Sequence, residues 1–396
     1  MLKIEKFIPG GLALGTIHDS SSRDNGKKVM LWNALPGETI SDFRITKRKS
    51  SFFEGVAEKI ENPSPFRVEP NDSCFLSTSP WQILDFSYEL DLKRLLVEES
   101  LHEEHISLPE GVEVEPVRTD GVEWFYRNKM EYALYFDKEK EKIFPAFHLR
   151  GTHQKLPVEK SSIERPEIFQ KAKEIISDLN ARNEPAYKFQ SLLLRANAFG
   201  EVSGGLFENH APHPIFRKLS DEILGKTYSY SPNGFFQINL PVYELALKEI
   251  KENLADARKV LDLYSGVGTI GLSVASDREL TLVECNKDAF RELEENTKGT
   301  SARPVLAKSE EALEFIVSDE TVILDPPRAG CDKKLVEKLL EVLPEKIIYL
   351  SCNPSTQARD VRLLTAEGKY IIKKVVPFNF FPKTPQIENL IVLARA

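Results

Sequence analysis

Cysteine is scarce in this 396-residue chain: there are only Cys74, Cys285, Cys331 and Cys352. They are widely spaced and no pair reads C-x-x-C. A disulfide framework and a zinc knuckle are therefore poorly supported, no metal ligands are assigned, and a reducing, cytoplasmic location is expected. No run of eighteen apolar residues occurs, so neither a membrane span nor a membrane partner is expected. Met1-Leu2-Lys3-Ile4-Glu5-Lys6 shows no apolar stretch and no small-residue cleavage site, so no secretory signal is expected. Internal repeats and low-complexity tracts are absent. Positive charge is in deficit, with a net charge of −8. A polyanionic partner would have to be met by local patches and not by the global field. Against these absences stand a hydrophobic share of 41% and a charged share of 29%, the balance of an ordinary globular protein. The length suggests two to three domains at roughly 150 residues each.

The charge is uneven. Residues 1–70 hold eleven basic and nine acidic side chains, and the densest basic run is Arg44-Ile45-Thr46-Lys47-Arg48-Lys49. On charge pattern alone that run fits a solvated strand edge or loop as well as a polyanion contact. Residues 1–62 read as short strands, such as Lys28–Trp32 and Thr39–Ile45, cut by Pro9-Gly10-Gly11, Asp24-Asn25-Gly26 and Leu35-Pro36-Gly37-Glu38, which suggests a small barrel. Asn62-Pro63-Ser64-Pro65-Phe66-Arg67 looks like a linker. The block 63–225 is mixed: Phe86–Leu101 and Ser161–Asn180 have helical character, and Trp124–Phe136 is aromatic and strand-like. From 226 to 396, apolar strand candidates at Lys259–Tyr264, Glu279–Glu284, Thr321–Leu324, Lys346–Leu350 and Leu390–Ala394 alternate with helical stretches. That alternation argues for βαβ units around a mostly parallel sheet, whose ligands sit beyond the carboxyl ends of the strands.

The informative residues follow those strands. Val260–Tyr264 runs into Ser265-Gly266-Val267-Gly268-Thr269-Ile270-Gly271, a glycine-rich turn at a helix start, where backbone can approach a ligand closely. The spacing also satisfies G-x-G-x-x-G, and the acid Glu284 ends the next strand, so nicotinamide dinucleotide and S-adenosylmethionine fit equally well here. Ile323-Leu324 leads into Asp325-Pro326-Pro327-Arg328. Methyltransferases acting on planar groups often carry such an acid and rigid proline lip. Enzymes that methylate exocyclic amines usually add an aromatic there; Arg328 in its place favours methylation of a ring carbon.

Ile347–Leu350 leads into Ser351-Cys352-Asn353-Pro354. A lone cysteine is more often inert than catalytic, but Cys352 stands at the ligand edge, just before a helix expected to be capped by Ser355-Thr356, where thiol pKa is expected to fall. A thiolate suits one chemistry: addition at carbon 6 of uracil turns carbon 5 into a nucleophile, and a base then removes the carbon-5 proton. Glu388, ahead of the last strand candidate, is the candidate base.

Together LDLYSGVGT, DPPRAG, SCNP and FPKTPQIE, in that order, with SPNGFFQIN at 231–239 and YRNKMEY at 126–132, resemble the RNA uracil-5-methyltransferase family over nearly the whole chain. The resemblance implies an α/β fold: a Rossmann-like methyltransferase domain at 226–396, a TRAM-like RNA-binding β-barrel at 1–62, and a central α+β domain at 63–225. It implies S-adenosyl-L-methionine as cofactor, 23S rRNA or tRNA as partner, Cys352 as nucleophile and Glu388 as base. It further implies that Gln237, Tyr264, Gly266, Gly268, Glu284 and Asp325 form the cofactor site. A monomer is expected. Aromatic and basic residues of the barrel and of Tyr126-Arg127-Asn128-Lys129 are candidate RNA contacts, with core packing as the alternative for the second group. Where many members carry four cluster-binding cysteines, this chain has only Cys74, so no iron–sulfur cluster is expected. Asn379 and Gln386 stand where the family often has Asp and His, removing two ionisable groups expected near the base. A catalytically weakened RNA-binding protein and a nicotinamide oxidoreductase are the alternative readings.

Overall fold

Alternating burial along the first sixty residues closes a barrel. In a computed structural model, which describes every residue except 19, 22 and 255, strands β1 (Leu2–Phe7), β2 (Ala13–Thr16), β3 (Lys28–Trp32), β4 (Thr39–Arg48) and β5 (Phe52–Asn62) join in the order β1-β2-β3-β5-β4. Leu2, Ile4, Val29, Leu31, Ile40 and Phe53 point inward, as the two-residue period of a strand requires. The basic run lies along β4 and is largely paired with the next strand. Arg44 reaches Glu58 at 3.2 Å and Lys47 reaches Glu54 at 2.8 Å. The expected linker is instead anchored. Buried Glu38 accepts from the Arg67 guanidinium at 2.6 and 2.8 Å and from the Ser64 N–H at 3.0 Å, because a buried carboxylate needs donors.

A single turn, α1 (Phe75–Thr78), precedes α2 (Phe86–Glu103), whose N-cap is Asp85. A second sheet follows, with β6 (Lys129–Asp137), β7 (Lys142–His148), β8 (Lys155–Pro157), β9 (Phe189–Ala196) and β10 (Val202–Glu208) in the order β10-β9-β6-β7-β8, covered by α3 (Pro166–Ala181). Two boundaries differ from expectation. The aromatic strand starts at Lys129, not Trp124, and the helix starts at Pro166, a residue suited to the first helical turn. Ser162, ahead of that helix, bonds to Asp72 through both its N–H and its hydroxyl, and Arg127 bridges to Glu164 in extended pairing. Cys74 is buried and its thiol lies 3.8 Å from the Lys160 carbonyl. Among the described residues no group of three or more His, Cys, Asp or Glu is placed to hold a metal, and no helix is long and apolar enough to cross a membrane.

The hairpin β11 (Leu219–Ile223) and β12 (Lys226–Tyr230), which straddles residue 225, leads into α4 (Leu240–Asn253). Then come β13 (Lys259–Leu263), α5 (Thr269–Ala275), β14 (Glu279–Glu284), α6 (Lys287–Asn296), β15 (Arg303–Leu306), β16 (Thr321–Leu324), α7 (Lys333–Val342), β17 (Lys346–Ser351), α8 (Pro354–Thr365), β18 (Tyr370–Phe378) and β19 (Glu388–Arg395). The sheet order is β15-β14-β13-β16-β17-β19-β18, parallel up to β17, with β19 inserted antiparallel between β17 and β18. Its strands are apolar on both faces, as a sheet covered on both sides must be. One face joins α4, α5 and the β11–β12 hairpin. The other joins α7, α8, α2, Trp81 and the barrel core in one continuous cluster. Residues 114–118 also run alongside β18. The chain between the barrel and the central sheet therefore packs on the C-terminal sheet.

Candidate active site

At the carboxyl ends of β13, β14, β16 and β17 lies a cleft of about 1220 Å³, the location expected for an open α/β sheet. Of the eight residues singled out by sequence, seven line it: Gln237, Tyr264, Gly266, Glu284, Asp325, Cys352 and Glu388. Gly268 does not. It has φ +89°, and a Cβ there would stand 2.6 Å from Leu293 Cδ1, so its glycine is required by packing against α6. Gly266, at φ +57°, faces open cleft: a Cβ on it would meet no atom within 4 Å.

The glycine loop is tied to its own sheet. The Gly266 N–H donates to Glu284 at 2.8 Å, and the Asn286 N–H donates to the other Glu284 oxygen at 2.5 Å. The Gly271 N–H donates to buried Asp262 at 2.9 Å, and the Ser265 hydroxyl donates to the Asp262 carbonyl at 2.7 Å. Burial pushes the Asp262 carboxyl up to about 8, and its second oxygen has no partner.

The candidate reacting groups converge from three neighbouring strands. Asp325 follows β16, Cys352 follows β17, and Glu388 opens β19. Ser351 lies opposite Asn389 in the ladder, so one further step places Cys352 opposite Glu388, with Cα atoms about 5 Å apart in such pairing. Gln357 of α8 staples the two strands, donating to the Tyr349 carbonyl at 2.8 Å and the Asn389 carbonyl at 2.9 Å. The helix after Cys352 is capped by Asn353, whose Oδ1 accepts from the Ser355 N–H at 3.3 Å, and not by Ser355-Thr356. Asn353 and Thr356 both donate instead to the Arg328 carbonyl, at 2.9 and 3.1 Å, fixing the proline lip against the chain that follows β17.

The expected lowering of the Cys352 thiol does not occur. Burial, followed by the negative charges of Glu388 and Asp325, pushes it up to about 11, with Arg328 opposing. Burial raises Asp325 to about 7. Glu388 is raised well above the usual carboxylate range by burial and by Asp325. Desolvation outweighs the helix terminus here, and two acids side by side cannot both ionise easily.

The two family departures separate. Gln386 lines the cleft with Glu388. Asn379 follows Phe378, which lies opposite Glu388 in the ladder, but its fully buried side chain bonds to Lys93 and Glu89 of α2 and does not line the cleft. Most of the basic cluster at 126–129 is structural. Tyr126 is buried and donates to the Pro382 carbonyl at 3.0 Å, Asn128 donates to the Gln237 carbonyl at 3.0 Å, and Lys129 donates to the carbonyls of Asn233 and Gly234 at 3.2 and 3.0 Å. Cys285 lines the cleft and is exposed. Sequence reading missed Phe235 and Ile215, which line the same cleft at 72% and 100% exposure. The signal for Phe235 was available, since two aromatics precede Gln237; Ile215 sits in an irregular stretch with no such pattern.

Known proteins resemble this chain along its whole length. A tRNA (uracil-5-)-methyltransferase family model matches residues 311–396, the stretch holding DPPRAG, SCNP and FPKTPQIE. An uncharacterised RNA methyltransferase of Lactiplantibacillus plantarum is 28% identical, covering 93% of this chain and 92% of its own. One from Synechocystis sp. is 27% identical, covering 94% and 92%. The solved structure of Pyrococcus abyssi tRNA (uracil-54, C5)-methyltransferase in complex with S-adenosyl-L-homocysteine superposes with a TM-score of 0.75 at 24% identity over 100% of both chains, and so shares the fold. These relatives are named RNA methyltransferases, not nicotinamide enzymes. With the ordered motifs gathered on one cleft and a matching fold throughout, the chain is similar to RNA methyltransferases along its length, and its residues 311–396 match the tRNA (uracil-5-)-methyltransferase family model.

Proposed function

We propose that this protein transfers a methyl group from S-adenosyl-L-methionine to carbon 5 of a uridine in structured RNA, tRNA or 23S rRNA, through a covalent bond between Cys352 and carbon 6. The observation that carries this reading is the placement of Cys352 opposite Glu388 across adjacent strands, with Asp325 beside them. The residues present fit the donor. Gly266 leaves a side-chain-free surface on the cleft. Each Glu284 oxygen, though engaged by one backbone N–H, retains a second lone pair for a ribose hydroxyl. A cavity of about 1220 Å³ exceeds the range of roughly 300–1,000 Å³ usual for one small ligand, leaving space for a nucleotide flipped out of its stack.

When bound, the donor supplies an electrophilic methyl group and a positive charge. The Cys352 thiol gives its proton to solvent and its sulfur bonds to carbon 6, pushing the ring's electrons onto carbon 5, which takes the methyl as the bond from that methyl to the sulfonium breaks and leaves a neutral thioether. The Glu388 carboxylate then takes the carbon-5 proton, the carbon 5–carbon 6 double bond returns, and the sulfur leaves as thiolate. The positive charge of the donor favours the ionised forms of Cys352, Asp325 and Glu388. The division at 62 and 225, action as a monomer and a cytosolic location belong to the same proposal. All four cysteines are free, as a reducing compartment requires.

The test is a denaturing gel with 5-fluorouridine-substituted tRNA and 23S fragments plus S-adenosylmethionine. Fluorine cannot leave as a proton, so a retarded band is expected, lost in Cys352→Ala, and the RNA that gives it names the substrate. No band with any RNA, despite measurable donor binding, would turn the reading toward a catalytically weakened binder.

A further inference from the structure

The loop 379–387 carries Phe381 and Gln386 into the cleft and ends on Glu388, yet it is anchored by α2. Glu89, fully buried, accepts the Lys383 N–H on both carboxylate oxygens at 3.0 Å and the Asn379 side-chain amide at 3.3 Å. Lys93, one turn further and equally buried, lies 2.9 Å from Glu89 and donates to Asn379 Oδ1 at 2.7 Å and to the Phe381 carbonyl at 3.0 Å. An ammonium has three donors, and all three are used here. Lys383 in turn donates from its side chain to the Leu84 carbonyl at 3.0 Å and meets Glu123 at 2.7 Å. Gly11 of the barrel abuts Pro385 so closely that a Cβ there would lie 2.1 Å from Pro385 Cβ.

A fully buried ion pair is a poor way to stabilise a helix, since apolar replacements are often neutral or better. Here its hydrogen bonds are directed at the loop. Asn379 bridges the pair, accepting from Lys93 and donating to Glu89. An Asp at 379 could accept but not donate, and would set a second carboxylate against Glu89. The chain's departure from Asp at this position thus matches the presence of Glu89.

We propose that the Glu89–Asn379–Lys93 triad is a positioning device for the base, holding loop 379–387 so that Glu388 reaches the carbon-5 proton after methyl transfer. This rests on the reading of Glu388 given above. The triad touches no substrate, so its loss slows release of the RNA while leaving thiol addition and donor binding in place.

The experiment uses the full chain, S-adenosylmethionine and unmodified RNA, following the Cys352–RNA adduct on denaturing gels beside donor affinity. Glu388→Gln is the reference and accumulates adduct. The double variant Glu89→Leu/Lys93→Met, which replaces the pair with apolar groups, is expected to bind donor like wild type and to release adduct slower by roughly 100-fold, the scale of a misplacement near 1 Å. If the double variant does not fold, Asn379→Asp carries the same test, with adduct release slowed by about tenfold. Release at the wild-type rate in a folded triad variant, while Glu388→Gln accumulates adduct, overturns the inference and leaves the reading intact. Joint loss of donor binding and adduct formation in a folded variant also overturns it, since the triad would then serve only the fold. No Cys352-dependent band from Glu388→Gln, nor from wild type with 5-fluorouridine RNA, overturns both.

Discussion

The glycine loop at 265–271 is tied by Asp262, nine residues from its partner Gly271, and by Glu284, eighteen from Gly266. The base loop at 379–387 is tied by Glu89 and Lys93, 294 and 286 residues from the groups they hold. Both line one cleft. The glycine loop is thus held within a single βαβ unit, whereas loop 379–387 is held by groups of α2 brought in from the N-terminal half of the chain. Long-range contacts of the second kind are costly to close and slow to form. Under the proposed function, donor binding and base chemistry are therefore expected to be separable.

That contrast can be broken first from the donor side. A Cβ at Gly271 would lie 2.5 Å from Leu282 Cδ2 and 2.8 Å from Asp262 Oδ2. Gly271→Ala is expected to cost about 1–3 kcal/mol through overpacking. It should also weaken S-adenosylmethionine binding by titration calorimetry while leaving Cys352 as reactive toward alkylation as before. Equal loss of both would show that the walls are not independent. The second effect is on the thiol. With Cys352 raised to about 11, in part by the charge of Glu388, iodoacetamide labelling resolved by peptide mapping should rise with pH toward that value. In Glu388→Gln the midpoint should move down, because a negative neighbour is gone; an unmoved midpoint would leave burial and Asp325 as the causes.

A smaller effect sharpens the donor side further. Asp262 stands at about 8 in the folded chain against an ordinary carboxyl near 3.9. Its neutral form favours the fold, so its contribution is full below about pH 4 and is lost as pH rises through 8. Urea midpoints should fall less steeply over that window in Asp262→Asn than in wild type. The smallest effect belongs to the barrel. Arg44 and Lys47 are half-exposed and already paired with Glu58 and Glu54, so Arg44→Ala/Lys47→Ala is expected to weaken RNA binding by about threefold or less, with a shallower salt dependence. An effect of two orders of magnitude would make this strand the principal RNA contact.

The same contrast decides what the sequence could reveal. Five of the seven strands of the C-terminal sheet were legible because apolar runs and turn residues are local signals, and the ends of β13, β16 and β17 followed from the same pattern; β15 and β18 were not singled out. Cys352 and Glu388 were legible because each sits in a short motif. The Arg67–Glu38 anchor, the place of α2 and the role of Asn379 were not, because each depends on a partner far away in the chain. The direction of the Cys352 shift is hidden for a related reason. A helix start is written beside the cysteine, but Asp325 and Glu388 reach it only through the sheet.

One consequence concerns synthesis. The strand that begins with Glu388 is laid between β17 and β18, so β18, made earlier, has no partner in the sheet until the final strand is translated and threads into the gap. Domains fold largely as they emerge from the ribosome, but this one cannot close its sheet that way. A nascent or prematurely terminated chain lacking residues 388–395 would expose two apolar strand edges and a thiol without its opposing acid.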